Sequence, residues 1–330
     1  TLVAAGTDSA PIVFTSIKDD AYGGDTQQDG PATRPASGDW GALYFGDTSN
    51  DAGSILDHIV VRYAGASYNF GTGTATAGIA YDSAATPLQN SRIEYSSAYG
   101  LQLLNASSPS LDNNLISDNL NHGIWISASS APTLANNAIL RNNGYAVYQM
   151  ASSQAFYSGN IALGNKVDGI AVTGSMTASS TFGTNLPYVI ESTLTVDVGV
   201  SLVIQPEAII KFASAANIVV NGQLLAQGQD GHPVFFTSIK DDLIGGDTNR
   251  DDQLTFPAAG NWGTIRFTAS SGASALEYAI FRYGGSNSAT GMLHFDSGAP
   301  GTLNHLIVMG SQYRGIYCQN TNPAITYSAI

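Results

Sequence analysis

The chain predicts an all-β fold, a parallel β-helix drawn out as one elongated rod. Three observations predict it. A block of sequence is written twice, 222 residues apart; an Asn pattern recurs every 23 residues; and the helix-favouring Glu and Lys are nearly absent. A spacing held over such lengths means that one structural unit is reused, as in stacked solenoids. Of the 25 acids, 21 are Asp and four are Glu. Asp suits turns and hard-cation ligation, Glu suits helix surfaces, and the skew therefore favours strands joined by many turns.

The first copy of the block opens Pro11-Ile-Val-Phe-Thr-Ser-Ile-Lys-Asp-Asp20 and the second Pro233-Val-Phe-Phe-Thr-Ser-Ile-Lys-Asp-Asp242. Both continue through Gly-Gly-Asp-Thr (Gly23 to Thr26, Gly245 to Thr248), a further acid (Asp29, Asp251) and a Trp-Gly pair (Trp40-Gly41, Trp262-Gly263). Between the copies, Asn114, Asn137 and Asn160 keep the 23-residue step, as do Asn119, Asn142 and Asn165. Apolar-alternating strands follow at Gly123-Ile-Trp-Ile126, Gly144-Tyr-Ala-Val-Tyr148 and Gly169-Ile-Ala-Val172. Coils stacked about 4.8 Å apart bring equal positions into ladders. The Asn columns are expected to be turn ladders, with Asn accepting the left-handed backbone and bonding to its neighbours above and below.

Residues 174–188 are the least patterned and mark a seam, giving a first module over 1–188 and a second over 189–330 that continues it. Past the seam, Leu194-Thr-Val196, Leu202-Val-Ile204, Ile210-Lys-Phe212 and Ile218-Val-Val220 read as strands of period two. Asp197-Val-Gly199, Gln205-Pro-Glu207 and Asn221-Gly222 separate them as turns. Thr1-Leu-Val-Ala-Ala-Gly6 matches Gln223-Leu-Leu-Ala-Gln-Gly228 inside a module, so the chain is expected to be a piece of something longer.

A net charge of −13 removes any attractive term toward nucleic acid or an anionic membrane. There is no apolar run long enough to span a bilayer. The one cysteine, Cys318, excludes an internal disulfide framework, and it is expected to be a small buried hydrophobe on an alternating strand.

The acidic loop carries the chemistry. In the second copy Asp247, Asn249 and Asp251 place side-chain oxygens at alternate positions, and Asp241 and Asp242 stand just upstream. In the first copy the same places hold Asp19, Asp20, Asp25, Gln27 and Asp29, the longer Gln replacing Asn. Such a cluster needs a counter-charge that Lys18 or Lys240 alone does not supply. Oxygen donors without His or Cys favour calcium over zinc or copper. The competing reading is a solvated acidic turn, and the constant spacing in both copies favours the metal. Trp40 and Trp262 are expected to pack the long loop onto the coil, sugar stacking being the alternative. Trp125, between Ile124 and Ile126, is an outward-facing sugar-stacking candidate.

The run Val200-Ser-Leu-Val-Ile-Gln-Pro-Glu-Ala-Ile-Ile-Lys-Phe212, with Val220 to Gly228 and Pro233 to Ser238, resembles a module of large secreted bacterial right-handed parallel β-helix proteins. The Asn-rich coils resemble the pectate-lyase-like repeat. Gln205-Pro-Glu-Ala208, where that family has a Pro-Gly turn, and Gln27 are departures from it. The resemblance implies the fold, and an extracellular or cell-surface location; it specifies activity poorly, because the scaffold carries adhesins, surface-layer components, lyases and epimerases alike. Three readings stay open. The first is a non-catalytic structural or adhesive segment stabilised by calcium, with surface carbohydrate or neighbouring copies of itself as partners. The second is a polysaccharide lyase-like enzyme, for which Lys18/Lys240 and Arg62/Arg282 are the recurring basic residues. The third is a self-assembling filament or layer subunit.

Overall fold

A computed structural model describes residues 1–71, 73–297 and 301–330. Among them there is no α-helix; the one helical turn is the 3-10 segment Gly30–Ala32. All sheets but one two-stranded hairpin (Tyr68–Asn69 with Thr74–Ala75) pair in parallel, as expected of a β-helix. The residues divide into two compact units, 1–148 with 153–168, and 149–152 with 169–330.

In the first unit the chain winds through three parallel sheets. One runs from Val3–Ala5 through Ile55–Asp57, Leu88–Gln89, Ser110–Asp112 and Thr133–Ala135 to Phe156–Ser158. A second runs from Ile12–Phe14 through Ile59–Arg62, Arg92–Glu94, Leu115–Ser117 and Ala138–Leu140 to Ile161–Leu163. The third begins at Leu43–Phe45 and passes Ala77–Asp82, Tyr99–Leu104 and Ile124–Ile126. Registers such as Leu111↔Leu134 and Ile116↔Ile139 hold the 23-residue step. Inward columns of Leu88, Leu111 and Leu134, and of Ile93, Ile116 and Ile139, are fully buried. Each full burial of such a side chain contributes roughly 1.5–3 kcal/mol.

The Asn columns form continuous ladders. Asn137 Oδ1 accepts from both the Asn114 amide (3.0 Å) and Asn114 Nδ2 (3.0 Å), and Asn137 Nδ2 donates to Asn160 Oδ1 (2.9 Å). Asn119, Asn142 and Asn165 repeat the pattern, and Asp168 Oδ1 ends it by accepting from the Asn165 amide and Nδ2. One expectation is corrected. The left-handed residues are those just before the ladder, Asn113, Asn136 and Gly159 in one column and Asp118, Arg141 and Gly164 in the other. The kink there turns the next Asn inward, where its amide replaces water as hydrogen-bond partner.

In the second unit one sheet runs from Ser180–Phe182 through Ser201–Ile204, Gln223–Gln227, Ala275–Glu277 and Thr302–Asn304 to Ile325–Thr326. The other forks at Tyr188–Val196. Its first residues pair with Ile209–Phe212, its last with Asn217–Val220. The first branch continues to Val234–Ser238, Ala279–Arg282 and Ile307–Met309, the second to Ile265–Phe267, Gly291–Asp296 and Arg314–Gln319. Cys318 is exposed, contrary to expectation, since among the described residues its strand pairs on one side only.

The duplicated block takes the same place in each unit. A long excursion leaves Ile12–Phe14 and returns at Leu43–Phe45, and its counterpart leaves Val234–Ser238 and returns at Ile265–Phe267.

Candidate metal centre

Each excursion is fastened to the coil by the same four residues. Thr15 Oγ1 donates to Asp19 Oδ2 at 2.6 Å, and Thr237 Oγ1 to Asp241 Oδ2 at 2.5 Å. Asp19 Oδ2 lies 3.3 Å from Arg62 Nη1, and Asp241 Oδ2 lies 3.6 Å from Arg282 Nη1. The carbonyls of the same arginines accept from Trp40 Nε1 and Trp262 Nε1, both at 2.7 Å. The recurring Thr, Asp, Trp and Arg therefore make one clasp. Trp262 is fully buried and stacked on Phe212 at 4.1 Å, so it packs rather than binds sugar. Trp125 is half-buried, stacked on Tyr148 (5.1 Å) and tilted against Tyr99 (5.2 Å).

Beyond the clasp the loops share a backbone. Gly23 and Gly24, like Gly245 and Gly246, have φ between 74° and 81°, a region open to glycine. Gln28 and Arg250, 222 residues apart, are both left-handed. Asp247 closes the turn by accepting from the Asp251 amide (3.2 Å) and the Asp252 amide (3.1 Å). Asp25 does the same with Asp29 (3.2 Å) and Gly30 (2.8 Å). Thr255 Oγ1 donates to Asp251, as Thr33 Oγ1 does to Asp29.

The carboxylates converge in the second loop. Oxygens of Asp242, Asp247 and Asp251 all lie within 4.8 Å of one another, a group that can hold a metal ion. Oxygens opposed across one calcium at about 2.4 Å stand about 4.8 Å apart, so the set has a fitting size. Four side-chain oxygens in this loop, Asp241 Oδ1, Asp242 Oδ1, Asn249 Oδ1 and Asp251 Oδ1, are shut off from solvent without a hydrogen-bond partner. Orphaned acceptors of this kind are costly unless a cation completes them. Burial first, then the charge of Asp247, pushes the Asp242 carboxyl above its usual range.

Among the described residues the first loop brings no such group together. Asp20, Asp25 and Gln27 are exposed and Asp29 is half-buried. Burial, then Asp25 and Asp29, raises Asp20. Asp19 and Asp241 serve the arginine clasp, which separates their role from that of their neighbours Asp20 and Asp242. Lys18 is not a counter-charge for the cluster either, since its Nζ lies 2.8 Å from Asp39 Oδ1.

The counter-charge that sequence reasoning missed is Lys211. Its side chain is fully buried, and Nζ donates to the carbonyls of Asp241 (3.0 Å) and Gly246 (2.7 Å). Burial lowers its pKa to about 8 against the raising influence of Asp241, Asp242 and Asp247. Its only signal in the sequence is a lysine within the apolar strand Ile209–Phe212.

Residues 49–186 match the family model described as a right handed beta helix region. With its stacked parallel sheets, the fold is an all-β right-handed parallel β-helix. No curated protein and no solved structure matches the chain.

Proposed function

We propose that this chain is a non-catalytic structural or adhesive segment of an extracellular bacterial protein, and that calcium bound in its second acidic loop stiffens it. The observation that carries the reading is the convergence of Asp242, Asp247 and Asp251 around side-chain oxygens that have no other partner. Three carboxylates and an amide oxygen supply fewer donors than the six to eight calcium takes, leaving the rest to water. Such open sites suit the affinity of about 10⁻⁴–10⁻³ M that extracellular modules use. The recurring pair Asp19 and Asp241 is engaged by arginine, which favours a scaffold over an acid–base role for it.

Thermal unfolding with calcium and with a chelator tests the proposal. Calcium is expected to raise the melting temperature of the second unit, and a melting curve indifferent to the chelator would sink the reading. Release of unsaturated product from a polyuronate, followed by ultraviolet absorbance, would replace the non-catalytic assignment with the lyase one.

A further inference from the structure

We infer that Lys211 is the residue that pre-forms the cation loop of the second unit. The inference rests on the calcium reading and concerns how that loop is held. Both loops have the glycine pair, the Asp-closed turn and the arginine clasp, so none of these explains why only one converges.

Beneath the second loop lies the strand Ile209–Phe212. Lys211 stands on Ile209–Phe212 in register with Thr237, the residue that holds Asp241. Its ammonium donates to the carbonyls of Asp241 and Gly246, two points that bracket Asp242 and immediately precede Asp247. One buried side chain thus pins both ends of the span that carries Asp242 and leads directly into Asp247. In the first unit, among the described residues, Ile12–Phe14 pairs with Ile59–Arg62. There Asp20 and Asp25 stay in solvent, and Thr26 is exposed where Thr248 is buried.

Two effects of the ammonium oppose each other. Its charge repels an incoming cation, while its hydrogen bonds remove the ordering cost that binding would otherwise meet. Nζ bonds to loop carbonyls, so the positional effect dominates and Lys211 acts as a positioning residue.

Calorimetric titration of the full chain with calcium chloride tests this. The wild-type chain is expected to bind one ion, Asp25→Asn to leave binding unchanged, and Asp247→Asn to abolish it. Lys211→Met, with its fold checked by circular dichroism, is expected to bind about tenfold more weakly, as the binding-competent fraction falls. Unchanged or tighter binding by Lys211→Met would overturn the inference, since the ammonium would then be a bystander or a competing charge. If Lys211→Met does not fold, hydrogen exchange of the metal-free wild-type chain decides: protection at 241–248 above 19–26 supports it, and equal exchange refutes it. No calcium heat with the wild-type chain would instead fail the calcium reading itself, which keeps the two failures distinct.

Discussion

Residues 15–42 and 239–264 are two renderings of one loop, and their difference separates what a loop's sequence supplies from what its support supplies. Both have the Thr–Asp–Arg–Trp clasp and the same left-handed glycines. Only the second brings three carboxylates within 4.8 Å. The first is anchored differently as well. Arg62 is shared between Asp19 and Glu94 (3.1 Å to Oε1) and flanked by Tyr22, Tyr63 and Tyr95, whereas Arg282 has Met309 in the register position of Glu94. Loop chemistry sets which ligands are present; the surface under the loop sets whether they meet.

The comparison can be broken most forcefully at the tryptophans. Trp262→Ala removes a fully buried ring stacked on Phe212 and is expected to cost about 3–5 kcal/mol by denaturant unfolding. Trp40→Ala, at a half-buried ring, should cost clearly less; equal losses would mean that the two clasps are packed alike. Next comes the metal. At calcium a hundredfold above the dissociation constant, binding should stabilise the second unit by about 2.7 kcal/mol, an increment lost in Asp251→Asn and kept in Asp29→Asn. Calorimetric scans of both variants check it.

A third separation lies in the threonines. Thr237→Val strips the hydroxyl from a fully buried Asp241 whose other oxygen has no partner, for an expected loss of about 1.5–3 kcal/mol. Thr15→Val should be milder, because Asp19 keeps a closer arginine, at 3.3 Å against 3.6 Å. The smallest effect is on acid sensitivity, and in the first unit it rests on His122. Burial, and then Lys166, lowers the His122 pKa to about 4 from 6.5. The folded state therefore binds fewer protons than the unfolded one between these values, and stability falls as pH drops through that window. The ring keeps some solvent contact, so the expected loss is of order 1 kcal/mol. His122→Phe should flatten the dependence in urea titrations at pH 4 to 7.

Much of the fold is legible in the residues. The 23-residue step of Asn114, Asn137 and Asn160 became a ladder because stacking coils must align equal positions, and the alternating apolar runs became buried columns. The left-handed positions at Asn113 and Asn136 were harder to read, since two adjacent asparagines look alike until the turn assigns one to the kink and the other to the interior. At the site the ten recurring oxygen donors were visible, but not their division. Asp241 and Asp242 are neighbours with the same side chain, yet one faces Arg282 and the other the cluster. Lys211 was hidden because it lies 30 residues from Asp241 and reads as part of an apolar strand.

By itself, the sequence determined that this chain is a stacked parallel coil with one acid-rich excursion used twice, because strand period and repeat length are local quantities that survive without contacts. Which carboxylates converge, and which strand lysine comes to lie against their loop, was decided by tertiary structure alone. Those outcomes depend on what one coil places under the next, and that placement joins residues the chain keeps far apart.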